Sequence, residues 1–335
     1  MNKKLRYAIL LVLAIACVAF YFARDRKRYV TAQGVVWTTE YHITYESNAN
    51  LADSINAVFN KIDASANVYN KSSLVSQFND YGEVNADSIL TLLLAEARTV
   101  YEQSDSLYDP TVMPLVTAWK KARKEKRTPS KGYIDGLLAL VGLDNVKVEN
   151  GVMRAATKGV QLDFSSIAKG LACDEVGRML ERNGVTNYLV EIGGEVVAHG
   201  VNERGACWHV SVDMPTDQAE KTEHASALVL ALDGKSVATS GNYRQFAMVD
   251  GKRVTHIIDP KTGAASQSDL LSVSIVAPRC VTADAWATAC MAMGTASTQA
   301  LMDKRNDLGV MTISTDSVGN YIVWSNAAFA ACVEK

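Results

Sequence analysis

One run of the sequence limits the folds open to this chain more than any other. Residues 162–200 read LDFSSIAKGLACDEVGRMLERNGVTNYLVEIGGEVVAHG. The pattern is a strand, a tight turn, a helix, a second strand and a glycine pair. Asp163, Ser165, Ser166 and Lys169 crowd into the turn, and Gly170 follows them. A turn that opens a helix presents unpaired backbone N–H groups and the positive end of the helix dipole, so it can receive a phosphate. Gly184 stands where a helix over 167–183 would end. Gly193-Gly194 marks either a tight turn between strands or a close approach of backbone to a ligand. Two more crowded stretches lie downstream, THIIDPKTG at 255–263 and TADAWAT at 282–288. We expect the three to meet.

The periodicity elsewhere predicts a mixture of elements. Alternation over 35–45 predicts one strand, and helical spacing predicts helices over 51–68 and 87–103, the latter with Asn85 as a candidate cap. Residues 69–80 read as a loop. Residues 104–119, with two prolines and two aspartates in an apolar setting, read as a buried loop. A short helix is expected over 130–140, and short strands over 146–149, 152–155 and 160–164. Strands follow at 188–192, 196–200, 208–213, 227–232, 236–240, 244–249, 253–258 and 271–277, with Asp250-Gly251 as a hairpin turn. Helices over 282–293 and 297–304 and strands over 309–314 and 321–325 complete the body. Strands adjacent in sequence favour antiparallel pairing, so the expected class is α+β with mixed, largely antiparallel sheets and packed helices.

Charge separates the N-terminus from the rest. Residues 1–28 hold seven Lys/Arg and one acid, which leaves 27 basic and 35 acidic residues in 29–335, a net of −8. An acidic body is a poor partner for nucleic acid, whose affinity rests on phosphate neutralisation. Residues 7–23, YAILLVLAIACVAFYFA, form an uncharged run with basic flanks. It is just long enough for a membrane span, and it also fits a secretory signal, with Ala14-Ile15-Ala16 as a cleavage site. Cys17 after Ala16 resembles a lipoprotein cysteine. An uncleaved anchor helix is favoured, because the apolar run continues past Cys17. All three readings export the body to the periplasmic side of the inner membrane. The expected division is residues 1–28 as signal or anchor and 29–335 as a single catalytic region. The remaining cysteines form no C-x-x-C pair and no zinc-type spacing with histidine.

Within the crowded stretches, Asp284 and Thr288 are four apart and share a helix face. Such a pair offers oxygen ligands only, which suits a hard cation such as Mg²⁺. On spacing alone, an Asp near a helix N-terminus is more often a dipole-favouring residue. His256 precedes the turn signals of IIDPKTG, where it could act as a general base or orient a hydroxyl. A histidine in a strand is otherwise usually structural. Phosphate-binding loops of the G-x-x-x-x-G-K-[ST] type, G-x-G-x-x-G, H-E-x-x-H and G-x-S-x-G are all absent.

Taken in order, LDFSSIAKGLACD, VEIGGEV, ATSGNYRQF, THIIDPKTG and TADAWAT closely resemble the ApbE family of FAD:protein FMN transferases. GVVWTTEYHITY, VYNKSSLVSQFN and SLYDPTVMPLV fit the same pattern. The resemblance extends from about Gly34 through the body and implies an ApbE/T-fold-like architecture. It implies Mg²⁺-dependent cleavage of the FAD pyrophosphate, transfer of FMN to a threonine or serine hydroxyl of a target protein, and release of AMP. Implied targets are subunits of redox pumps of the Nqr or Rnf type. By motif, Asp163 and Lys169 match FAD contacts, and Ser166 a metal contact. Asp284 and Thr288 match Mg²⁺ ligands, with Ala287 contributing its backbone. His256 matches the proposed catalytic histidine and Ile258 an FAD contact. Trp37, Tyr69, Leu107, Tyr108 and Asp109 match positions lining the flavin. The chain departs at Trp37-Thr38, where the family commonly has Met-Gly. Two other functions remain compatible with these residues: an FAD pyrophosphatase that uses water as acceptor, and an exported flavin-binding protein without turnover.

Overall fold

Trp37 and Thr38 divide what reads as one alternating strand. Both adopt left-handed backbone, with φ of 48° and 67°. They form a two-residue turn between β1 (Arg28–Val36) and β2 (Thr39–Ser47), which pair antiparallel from Val36↔Thr39 to Arg28↔Ser47. Positive φ at both central positions matches the twist of the flanking strands. Alternation continues through the turn, so period two alone does not reveal it. The computed structural model describes residues 28–213, 226–242, 246–249, 252–255, 257–266, 268–316 and 318–334, together with Arg6, Tyr7 and Val12.

The hairpin is followed by α1 (Ala52–Ala66), α2 (Leu74–Tyr81), β3 (Glu83–Asn85) and α3 (Ser88–Gln103). α2 falls in the segment expected to be a loop; Ser73 caps it by accepting from the Ser76 N–H, and left-handed Gly82 ends it. The cap of α3 is Asp87, which accepts from the Leu90 N–H, and not Asn85. The expected buried loop at 104–119 is a loop only to Asp109. A 3₁₀ turn (Pro110–Val112) then leads into α4 (Met113–Glu125), because Pro110 and Pro114 stand in first turns, where the missing N–H costs nothing.

Next come α5 (Lys131–Leu138), β4 (Val146–Glu149), β5 (Val152–Ala155), α6 (Ala168–Arg182), β6 (Tyr188–Ile192), β7 (Glu195–His199), β8 (Trp208–Asp213), β9 (Ser226–Leu232), β10 (Lys235–Gly241), β11 (Phe246–Val249) and β12 (Lys252–Thr255). The expected strand over 160–164 is irregular backbone. Its hydrogen bonds go to a side chain and a loop: Asn79 both donates to the Leu162 carbonyl and accepts its N–H, and the Asp163 N–H donates to Pro110 O. The chain closes with β13 (Leu270–Ala277), α7 (Cys280–Met293), α8 (Thr295–Met302), β14 (Gly309–Thr315), β15 (Tyr321–Ser325) and the short α9 (Ala327–Ala330).

Eight strands form one antiparallel sheet in the order β1-β2-β6-β7-β10-β13-β14-β15. Its core face carries α1, α3, α6 and α7, in a cluster that includes Ile43, Phe59, Leu93, Leu171 and Trp286. The β8–β9 hairpin and α9 cover the other face through Trp208, Leu230, Ile313 and Phe329. A third cluster joins α4 and α5 to Ile258 and Ala265. This is the expected α+β class with antiparallel sheets. Among the described residues, no helix is long and apolar enough to cross a membrane. The run at 7–23 lies almost wholly outside them, and Cys17, His256 and Asp250-Gly251 lie outside them entirely.

α7 is the helix that most decides the site. Cys280, Val281, Ala283, Ala285, Trp286, Ala287, Ala289, Cys290 and Met291 are all buried, so the helix is enclosed on nearly every side. Short Ala and Cys side chains let α6 and the sheet come close. No residue of α7 itself caps its N-terminus; Asp174 of α6 does so, accepting from the N–H groups of Cys280 (2.8 Å) and Val281 (3.0 Å). Asp284 is its only charged residue.

Candidate active site

Asp284 is 3% exposed. A carboxylate that deep costs free energy unless it is paired or used. Its Oδ2 accepts from the Gly170 N–H at 3.1 Å and lies 4.0 Å from Lys169 Nζ. The N-terminal turn of α6 therefore meets the buried face of α7, and two of the three stretches do converge. Gly170 makes this possible: a Cβ there would stand 2.6 Å from the Cys280 carbonyl oxygen and 2.9 Å from Asp284 Cβ.

Lys169 has a second and closer acid. Glu195, 3% exposed at the start of β7, places Oε1 2.8 Å from Lys169 Nζ. Its Oε2 is buried and has no hydrogen-bond partner among the described residues. Burial works to lower the lysine, but Asp284 and Glu195 together outweigh it and hold the ammonium charged. Burial raises both carboxyls, against the pull of Lys169. One cation shared by two carboxyls does not offset the burial of both, and the three titrate as a unit.

The Ser104–Asp109 loop ties the remaining parts together. Asp105 and Ser106 both have left-handed backbone, with φ of 54° and 63°. Such strain in non-glycine residues gathers at functional sites. Tyr108 Oη lies 3.1 Å from Ser166 Oγ. Burial pushes this phenol well above its ordinary value against the Ser166 hydrogen bond, and Asp284, Asp163 and Asp109 push it further, so Tyr108 stays neutral. Asp105 pairs with Lys261 of the 255–263 stretch at 2.5 Å. Pro110 O receives the Asp163 N–H. All three stretches are thus joined, the histidine-bearing one by way of this loop.

Each expected residue has a definite place. Asp163 accepts from the Ser165 N–H and shapes the turn. The Asp109 carboxyl turns away to Thr111, accepting from its N–H and hydroxyl, and burial lifts it to about 6. Leu107 is half-buried and Ala287 fully buried. Thr288 is half-buried one turn after Asp284. Trp37 packs edge-on against Phe59 and donates its indole N–H to Asp63. Asp63 also accepts from Asn67 and Asn70, whose turn carries Tyr69. Tyr69 is 72% exposed, with Lys120 Nζ 3.0 Å from its hydroxyl. Ile258 is buried with Leu115 and Trp119, below the Gly263 carbonyl that Trp119 Nε1 contacts.

Sequence reasoning passed over Glu195, Asp63 and Asp174. Only Glu195 had a signal, a lone acid directly after the glycine pair. That pair is the β6–β7 turn, with φ of 62° and 95°. A cleft of about 400 Å³ lies between the 259–269 loop and the C-terminal end of α7, lined by Asp259, Ser266, Asp269 and Ala292 among others. Ala292 follows Asp284 and Thr288 at the same four-residue spacing, so the cleft lies along the same helix face.

The oxygen-only donor set of Ser166, Asp284 and Thr288 fits a hard cation. Among the described residues no three His, Cys, Asp or Glu side chains group to hold a metal by themselves. A cation here would draw instead on hydroxyls, water and substrate phosphates.

The profile of the ApbE family matches residues 37–312. The chain belongs to the ApbE family. Among ApbE relatives, the FAD:protein FMN transferase of Haemophilus influenzae is 30% identical over 352 residues, spanning all of this chain and 99% of that protein. The FAD:protein FMN transferase of Escherichia coli K12 is 31% identical, covering 86% of this chain and 83% of its own. The flavin transferase ApbE structure from Vibrio cholerae superposes with a TM-score of 0.81 at 27% identity, covering 91% of this chain and 99% of the other. The apo flavinyl transferase ApbE of Pseudomonas stutzeri gives the same score and identity, with 91% and 97% covered. ApbE structures therefore share the antiparallel sheet and packed helices described above.

Proposed function

We propose that this protein transfers FMN from FAD to a serine or threonine hydroxyl of a target protein, forming a phosphoester and releasing AMP. The observation that carries this reading is the meeting of Asp284, Lys169 and Gly170 at the α6–α7 contact, with Ser166 and Tyr108 beside it. A phosphoryl transfer needs positioning and charge neutralisation more than covalent help from the protein. Lys169 would counter negative charge on the FAD phosphates, and Asp163 would hold the turn that receives them. Asp284, Thr288, Ser166 and the Ala287 backbone would hold Mg²⁺, which supplies Lewis-acid stabilisation of phosphate charge when bound. Trp37, Tyr69, Leu107, Tyr108, Asp109 and Ile258 would border FAD.

His256 would take the proton from the acceptor hydroxyl as its oxygen attacks the FMN-side phosphorus. The new P–O bond forms as the pyrophosphate P–O bond breaks, and AMP carries away the electron pair. On this reading residues 29–335 are the catalytic region, exported and tethered to the periplasmic side of the inner membrane by the apolar run in 1–28 or through Cys17. The acceptor is a redox-pump subunit of the Nqr or Rnf type.

The test is incubation of the purified protein with FAD, Mg²⁺ and such a subunit, read by in-gel flavin fluorescence and the mass shift of covalent FMN. Labelling is expected for the parent, and His256→Ala is expected to bind FAD but not to label. Release of FMN and AMP at an undiminished rate without any acceptor, and no labelling with one, would make the protein a pyrophosphatase. FAD binding without either product would make it a binding protein.

A further inference from the structure

Lys169 stands between two buried carboxylates at unequal distances, 2.8 Å from Glu195 and 4.0 Å from Asp284. The longer contact is not a hydrogen bond. Among the described residues, Asp284 consequently keeps one hydrogen-bond partner, the Gly170 N–H. The Lys169 ammonium is little more than one ångström farther from it than from Glu195. Attraction between unit charges strengthens steeply in a buried setting, so an otherwise unrestrained lysine would close onto Asp284. Glu195 supplies the restraint. It follows a β-hairpin turn whose two glycines adopt positive φ, and Cys173 Sγ, one turn beyond Lys169, lies 3.2 Å from the Glu195 carbonyl oxygen. Both ends of the ion pair are therefore anchored to rigid elements.

We propose that Glu195 is a positioning residue, which holds the Lys169 ammonium off Asp284 and so keeps that carboxylate free to ligate a divalent cation. Two observations about Glu195 agree with this role. It is a buried carboxyl at a place where an apolar residue would suffice for packing, and a buried pair is a weak source of stability. Among the described residues its second oxygen has no partner, and Lys169 is the side chain to which its first oxygen bonds. This inference rests on the metal-dependent reading of the site given above.

The test measures cation binding and not only turnover. Mn²⁺ binding to the intact protein, without FAD, is followed by the loss of free Mn²⁺ signal in electron paramagnetic resonance. The parent, Glu195→Ala, Glu195→Gln, Lys169→Ala and the Lys169→Ala/Glu195→Ala double variant are compared, with circular dichroism melts to establish folding. Glu195→Ala is expected to weaken Mn²⁺ binding at least about tenfold, as Lys169 closes onto Asp284. Glu195→Gln, which retains an acceptor for Lys169, should fall between parent and Ala. The decisive comparison is the double variant: with no lysine left to collapse, its Mn²⁺ affinity should return to that of Lys169→Ala. Unchanged Mn²⁺ affinity in Glu195→Ala, or a double variant as weak as Glu195→Ala, would overturn the proposal while leaving the transferase reading intact. A parent that neither binds Mn²⁺ nor transfers FMN would remove both.

Discussion

The Gly170 N–H donates to Asp284 Oδ2 at 3.1 Å, across 114 residues of sequence. This bond joins the first turn of α6 to the middle of the buried helix α7, and it exists because residue 170 has no side chain. A methyl group there would stand 2.6 Å from the Cys280 carbonyl oxygen, which is backbone and cannot swing aside.

Gly170→Ala is therefore expected to force α6 and α7 apart. The overpacking should cost about 1–3 kcal/mol, well above the small gain in helix propensity of Ala over Gly. FMN transfer should fall as well, because Asp284 loses its backbone partner. Urea denaturation at neutral pH is the measurement, and a midpoint equal to that of the parent would show that the contact yields.

Asp284→Ala removes the carboxylate around which the site is built. Transfer of FMN should fall at least about a hundredfold, the order seen when a main electrostatic group of a transition state is deleted, and its Mg²⁺ dependence should vanish with it. Stability should fall, since the buried Gly170 N–H loses its acceptor and Lys169 one of its two counter-charges. Activity titrated against Mg²⁺, beside a thermal melt, separates these effects. A fully active variant rules Asp284 out as a ligand.

Asp174 gives the fold a pH dependence. Burial lifts its carboxyl to about 6, even though the Cys280 and Val281 N–H groups pull it down. The unfolded chain is then the stronger acid. The native state binds more protons between about pH 4 and 6, and stability falls as pH rises through that window. The shift corresponds to about 3 kcal/mol. In Asp174→Asn this contribution is gone, so the parent's stability relative to the variant should shrink from pH 4.5 to pH 7. Urea midpoints at both values check it, and a constant difference would contradict the sign.

Thr38 is β-branched, yet it holds a φ of 67° in the β1–β2 turn. Left-handed backbone costs such a residue about 1–2 kcal/mol, part of which glycine returns as unfolded-state entropy. Thr38→Gly should accordingly stabilise the protein by about 0.5–1 kcal/mol without disturbing Trp37 and Asp63. A lower melting temperature would show that the Thr38 side chain contributes something the turn geometry does not reveal.

Much of the fold was legible from periodicity. The helices at α1, α3, α6 and α7 and most strands of the large sheet stand within a few residues of their expected bounds. The misses have three causes. α2 and the start of α4 lie in short segments rich in Ser, Asn, Asp and Pro, where caps read as loop. Residues 160–164 carry a strand pattern, but Asn79 takes the backbone hydrogen bonds of Leu162 that a neighbouring strand would need. The Trp37-Thr38 turn hides inside an unbroken alternation.

For the site, the resemblance of the ordered motifs to the ApbE family determined which chemistry to expect. Residue type and local spacing alone left the hydroxyl-rich turn, the Asp-Thr pair and the histidine before a turn open to structural readings. Only the tertiary structure decided which charges meet and how closely. Lys169 lies nearer to Glu195 than to Asp284, Asp174 of one helix caps another, and Asp63 ties Trp37 to the turn bearing Tyr69. These relations join elements that a single sequence does not pair, and they depend on ångström differences in how α6, α7 and β7 pack. Local propensity has no term for that distance.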